Sequence, residues 1–242
     1  MAKSTTIVIN SDAYTYPSRE ERAAIYKDYP EIPSLKFTQC EVLPGILSKS
    51  ITLQEANKIR NLYFWSQFLS NRHRLVHESF VIAITNYNRG VSDPSERTQS
   101  ESQFANRWKF DYYAETFYYF LISSQDQLAQ LLNTYFDLNI PEDHVSFGRR
   151  LFSLIDDGKV VEVLKDFQQK IFVASRYRNK FAHRFSPTTP DFRSTILEIN
   201  GKTGLGLGGG HSTSADEIAK NMKLSVKALS ELMGTLSNLV KE

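Results

Sequence analysis

Apolar positions recur at helical spacing over most of this chain. From Lys159 onward, Val160, Leu164, Phe167, Ile171, Ala174 and Phe181 follow steps of four and three, the buried stripe of one long helix reaching about Ala182. The position that completes the stripe between Ala174 and Phe181 is Arg178. A second stripe, Phe110, Ala114, Phe117, Leu121, Ser124, Leu128, Leu131 and Tyr135, predicts a helix from about Glu96 or Ser102 to Phe136. Thr52-Leu-Gln-Glu55 has the form of a capping box and opens another long helix, to about Tyr87, closed by Asn88-Arg-Gly90. Ser18-Arg-Glu-Glu21 predicts a short helix over 19–28, stopped by Pro30, and Ser214-Ala-Asp-Glu217 starts a final helix to about Val240. A shorter helix over about 145–156 ends at Asp157-Gly158.

The period changes after Pro187 and Pro190. Ser194–Ile199, Asn200-Gly201 and Lys202–Leu207 read as a β-hairpin on a tight turn, followed by the flexible run Gly208–Gly210. Residues 1–17 read as loose, with Ile7-Val-Ile9 as a short edge strand. Residues 29–51, with Pro30, Pro33 and Pro44-Gly45, read as a connecting loop. The expected fold is mainly all-α: an up-down bundle of four to five long helices with a small β-hairpin insert near 193–208. Residues 1–51 form an N-terminal extension, and 52–242 a helical domain that includes the insert 193–211.

Composition narrows the picture in three places. A net charge of +2 is too small to argue for nucleic acid by itself, so an anion site has to be a local cluster. The single cysteine, Cys40, excludes an internal disulfide and reads as an inert thiol in a reducing cytoplasm. No basic-then-apolar leader opens the chain, and the dense apolar run Phe80–Ile84 is too short to cross a bilayer. A cytoplasmic protein without membrane contact is expected.

Two motifs point to chemistry and fail on their requirements. Gly201-Lys-Thr203 lacks the leading glycine of a phosphate loop, because Ile196 stands there, and it lies in a hairpin. His73 and His77 have the i,i+4 spacing that zinc sites use, but Arg74 stands where the helical zinc signature requires glutamate. No metal and no cofactor is expected.

Arg178 and His183 survive this filter. A guanidinium cannot shed its proton to escape burial, so on a core stripe it needs a carboxylate, a partner subunit or an anionic ligand. His183 is the side chain suited to moving protons near neutral pH. On an ideal helix the two point about 140° apart. They converge only if the helix ends near Ala182 or if two copies share one site. Arg176, Asn179, Lys180 and His183 lie on one basic, hydrogen-bonding face. Glu115 and Asp126, on the preceding long helix, are candidates to pair with Arg178 or orient His183. The plainer alternative is a structural arginine and a solvated helix end whose cations the helix dipole favours.

Arg178-Asn179-Lys-Phe-Ala-His183, with Arg184 after it and near the end of a late helix, resembles the signature of the HEPN superfamily of small all-helical domains. That signature is an arginine, often followed by a polar residue, with a histidine after four to six intervening residues. The resemblance implies metal-independent cleavage of RNA, of toxin or defence type. His183 would act as general base or acid, Arg178 would hold the scissile phosphate, and Arg176, Asn179, Lys180 and Arg184 would bind substrate. It also implies a homodimer, RNA or a nucleotide as ligand, and an antitoxin protein as a further partner. A non-catalytic nucleotide- or RNA-binding scaffold stays open beside it, as does a small-molecule-binding bundle using the aromatic stripe. Arg72-His-Arg-Leu-Val-His77 has the same spacing in the middle of a helix. Arg178 is preferred for its core position, the adjacent Asn179 and its place at a helix end. Some members carry a tyrosine two residues after the histidine, which a nucleotidyltransferase modifies. Phe185 stands there, and such regulation is not expected at that position.

Overall fold

The structure is a computed structural model and describes residues 15–38, 42–92, 100–199 and 201–240. In chain order the helices are α1 (Arg19–Asp28), α2 (Val42–Ser48), α3 (Leu53–Asn88), α4 (Glu101–Tyr135), α5 (Arg149–Leu154), α6 (Gly158–Lys170), α7 (Phe172–His183) and α8 (Ala215–Leu239). A two-stranded antiparallel hairpin, β1 (Ser194–Ile199) and β2 (Lys202–Leu207), separates α7 from α8. Among the described residues the fold is all-α apart from this insert. The edge strand expected at Ile7–Ile9, the alternative helix start at Glu96 and the thiol of Cys40 lie outside the described residues.

Capping boxes set where four of the helices begin. Ser18, Thr52, Ser100 and Ser214 each accept the backbone N–H three residues on, and Glu21, Glu55, Gln103 and Glu217 reach back to the cap N–H. Each box satisfies two N–H groups that the helix leaves without partners. α3 and α4 make the most extensive contact. Phe80 meets Phe117 at 6.1 Å and Tyr87 meets Phe110 at 5.8 Å, so the two helices run antiparallel. α8 closes the bundle with Ile218, Met222, Leu229 and Met233, all essentially inaccessible. Ile25, Leu35 and Phe37 from the N-terminal segment join the same core. α1 is tied to α3 by Arg22–Glu78 and Arg89–Glu21 ion pairs, at 2.6 and 2.7 Å.

The structure departs from the sequence reading in three places. Residues 42–48, expected as loop, form α2. Pro44 falls in its first turn, where a missing N–H costs nothing. The helix expected over 145–156 shrinks to Arg149–Leu154. The long helix expected over 159–182 is broken at Ile171 into α6 and α7. No glycine or proline marks the break. Ile171 itself leaves helical geometry, with φ −98° and ψ 11°, while the backbone bonds from Ile171 N to the Phe167 carbonyl and from Ser175 N to the Ile171 carbonyl are kept at 3.0 Å.

Arg178 lies about two turns beyond the break. It is half-buried and not a core residue. Tyr177 and Phe181 fill the space toward α4 instead, packing on the buried Tyr118 ring at 5.5 and 6.0 Å. The buried arginine among the described residues is Arg107, on α4 and 8% exposed. Its Nε donates to Asp111 Oδ2 at 2.9 Å, Nη1 to the Ser92 carbonyl at 3.2 Å and Nη2 to the Thr188 carbonyl at 3.0 Å. Arg107 thus fastens the segment after α7 to the bundle.

Candidate functional site

α7 is a short amphipathic helix whose polar sides carry the motif. It runs through His183, and Arg184 caps it in an extended conformation. His183 therefore still has helical geometry and points about 140° from Arg178. Within one chain the two side chains diverge.

Arg178 is anchored on one side only. Its Nε is sealed from solvent without a protein partner, and Nη1 donates to Asn179 Oδ1 at 3.1 Å. Asn179, His183, Arg176 and Arg184 are exposed, and Lys180 is half-buried. Glu115 and Asp126 are exposed on α4, and among the described residues no ion pair joins either of them to Arg178. The guanidinium thus keeps its positive charge without a carboxylate. The other Arg-x4-His match is built differently. His77 is 3% exposed, its ring 2.9 Å from the Tyr29 carbonyl through Nε2 and edge-on to Tyr26 at 4.7 Å. It is a packed structural histidine. One turn earlier, His73 is 3% exposed with no protein partner on either ring nitrogen, and burial pushes its pKa down to about 4.

A second feature adjoins the motif. A cleft of about 570 Å³ lies between α7, the segment after it and the start of α8. Arg176, Lys180 and Arg184 line its α7 wall, with Tyr177 and Phe185 as its aromatic surfaces. Arg178, Asn179 and His183 do not line it, so the expected face of Arg176, Asn179, Lys180 and His183 is divided. The opposite wall holds Arg193 and His211–Thr213. Arg193 chelates Asp191 through Nε and Nη2 at 2.9 and 2.7 Å, which holds that carboxyl down at about 2. Glu217 is occupied by the capping box of α8. Burial, and next the Glu217 carboxylate, raises the pKa of the Tyr177 phenol.

The glycines behind this wall, expected from sequence as a flexible run, continue the hairpin pairing alongside residues 191–193. Gly208 N donates to the Arg193 carbonyl and Gly210 N to the Asp191 carbonyl, both at 3.0 Å. A Cβ at Gly208 would stand 2.5 Å from the Asp191 carbonyl oxygen. Gly210 has φ +69°, which side-chain-bearing residues rarely adopt. This pairing brings His211 beside Asp191, and Thr213 N donates to the Pro187 carbonyl at 2.7 Å.

Sequence reading missed Arg107 and the far wall of the cleft. Arg107 precedes Phe110 by three on the α4 stripe, so the core-position argument that singled out Arg178 applies to it with equal force. Asp191, Arg193 and His211 carry no such signal, because backbone bonds among loop residues bring them together.

The family model of HEPN_Cthe2314-like HEPN matches residues 65–240. Comparison with curated proteins and with solved structures gave no match.

Proposed function

Since the chain belongs to the HEPN superfamily, we propose that it is a metal-independent endoribonuclease acting through Arg178 and His183. The observation that carries this reading is the uncompensated guanidinium of Arg178, steadied by Asn179 and five residues from an exposed histidine. A positioned cation without a carboxylate suits an anionic substrate. Arg178 binds the scissile phosphate and stabilises the charge that builds on it. A neutral His183 takes the ribose 2′-hydroxyl proton as the 2′-oxygen attacks phosphorus. The bond to the 5′-oxygen breaks, and a protonated histidine gives that oxygen its proton. Products are a 2′,3′-cyclic phosphate and a 5′-hydroxyl.

The divergence of the two side chains within one α7 is met by a homodimer in which two α7 ends line one cleft. Such a site supplies one histidine as base and one as acid. The exposed α4 aromatics Trp108 and Tyr112, stacked at 6.2 Å, extend the apolar surface for this contact. The same divergence also favours a second reading, in which the monomer is a non-catalytic RNA- or nucleotide-binding scaffold.

Incubation of the protein with RNA in excess chelator separates the two. We expect cleavage to persist and the products to carry 2′,3′-cyclic phosphate or its 3′-phosphate hydrolysis product. Activity that disappears with chelator and returns with magnesium contradicts the mechanism, and intact RNA under all conditions favours the scaffold.

A further inference from the structure

The cleft beside the motif has its own chemistry. Arg176, Lys180 and Arg184 follow one another at four-residue steps, about 6 Å apart along a helix axis, so they offer positive charge over about 12 Å. Among the described residues none of the three is ion-paired to a carboxylate. The two acids in the cleft are otherwise engaged, Asp191 by Arg193 and Glu217 by its helix cap. The macrodipole at the end of α7 accounts for a preference for cations there, but its roughly half charge does not balance three of them. A single phosphate is too short for this row, and a chain of phosphates matches it.

We infer that this cleft holds a single-stranded stretch of RNA flanking the scissile bond. The inference rests on the nuclease reading for the identity of the polymer. Tyr177 and Phe185 line the cleft beside the cations, Tyr177 packed on Tyr118 at 5.5 Å and Phe185 with the Arg193 guanidinium over its ring at 4.5 Å. The aromatic surface they leave to the cleft serves unstacked bases and is not required by an acidic peptide. Ser212 and Thr213 add hydroxyls on the facing wall. A cleft of about 570 Å³ is the size of a small-ligand pocket, room for a nucleotide or two of a splayed strand but not for an A-form helix. The wall opposite α7 is held by Arg107 through Thr188 and by the pairing of Gly208–Gly210 with residues 191–193, so the cleft exists before any strand enters.

The test is binding of labelled oligouridine, and of the same strand annealed to its complement, to full-length protein carrying His183→Ala so that the RNA survives. We expect the single strand to bind at least about tenfold more tightly than the duplex. Adding Arg176→Ala, Lys180→Ala and Arg184→Ala should weaken single-strand binding by about tenfold or more and reduce the salt slope by about 2, near 0.7 per phosphate contact. A matched loss of charge elsewhere, Arg149→Ala, Arg150→Ala and Lys159→Ala, should change binding by less than about threefold. Circular-dichroism melting of both triple variants checks that the fold survives. Unchanged binding after the cleft substitutions, equal loss in the control, or equal affinity for the duplex overturns the proposal. An intact interaction of the triple variant with oligouridine would leave the cleft to an acidic protein segment. If wild-type protein fails to cleave RNA while the cleft variants still lose binding, the catalytic reading falls, and with it the scissile bond, while single-strand binding in the cleft stands. Cleavage with no effect of the cleft variants gives the reverse.

Discussion

Replacing His183 with alanine should lower RNA cleavage by about a hundredfold or more, the usual contribution of a positioned general acid or base. The fold should not suffer, because the side chain is exposed at the last residue of α7. His77→Ala should behave in the opposite way. His77 is buried, bonded to the Tyr29 carbonyl and packed on Tyr26, so its loss costs stability and leaves the cleavage step alone at temperatures where the protein stays folded. The check is kcat for the two variants beside their melting curves. A large fall in kcat for His77→Ala with none for His183→Ala would move the site to α3. Indifference of cleavage to both would remove histidine chemistry from the account.

The second large effect lies in the core. His73 is 3% exposed, without a protein partner on either nitrogen, and its pKa is pushed from 6.5 to about 4 by burial. The unfolded chain binds a proton at this residue as pH falls through about 6.5, and the folded chain does not until about 4. Stability is therefore full above 6.5 and is lost as pH falls toward 4, by about 3 kcal/mol for this residue alone. Carboxylates add their own acid dependence, so the informative quantity is the difference between wild type and His73→Leu. Denaturant unfolding at a series of pH values should show the two converging in acid sensitivity above pH 7 and separating below 6. Parallel profiles down to pH 4 would show that His73 is hydrated or protonated in the folded protein.

Much of the fold was legible in the chain because its signals are local. The boxes at Ser18, Thr52 and Ser214 and the stripe of α4 each depend on residues within a few turns, and the structure forms all of them. The hairpin followed from Asn200-Gly201 and its flanking strands, and it pairs in the register that turn dictates, with Ile199 opposite Lys202. The break at Ile171 was not legible, because it lies in the dihedral angles of one residue and no proline or glycine marks it. Beyond it Arg178, expected in the core, is half-buried, and Tyr177 joins Phe181 against Tyr118 of α4. The motif itself could be read by spacing and resemblance. The cleft could not, since it depends on Arg107 reaching Thr188, 81 residues away, and on the pairing that continues past the hairpin to set Asp191 against His211.

Everything catalytic in this account turns on one geometric point. Arg178 and His183 diverge on a helix that continues through His183, and the proposed mechanism has them act together where two copies bring their α7 ends to one cleft. Twofold contacts of this kind are self-complementary and are the commonest form of oligomer. Light scattering of the active protein at micromolar concentration measures this directly. The account predicts a mass twice the 27.8 kDa of the chain, falling toward one chain in Arg178→Ala together with activity. A wild-type monomer at that concentration that cleaves RNA at full rate would contradict it.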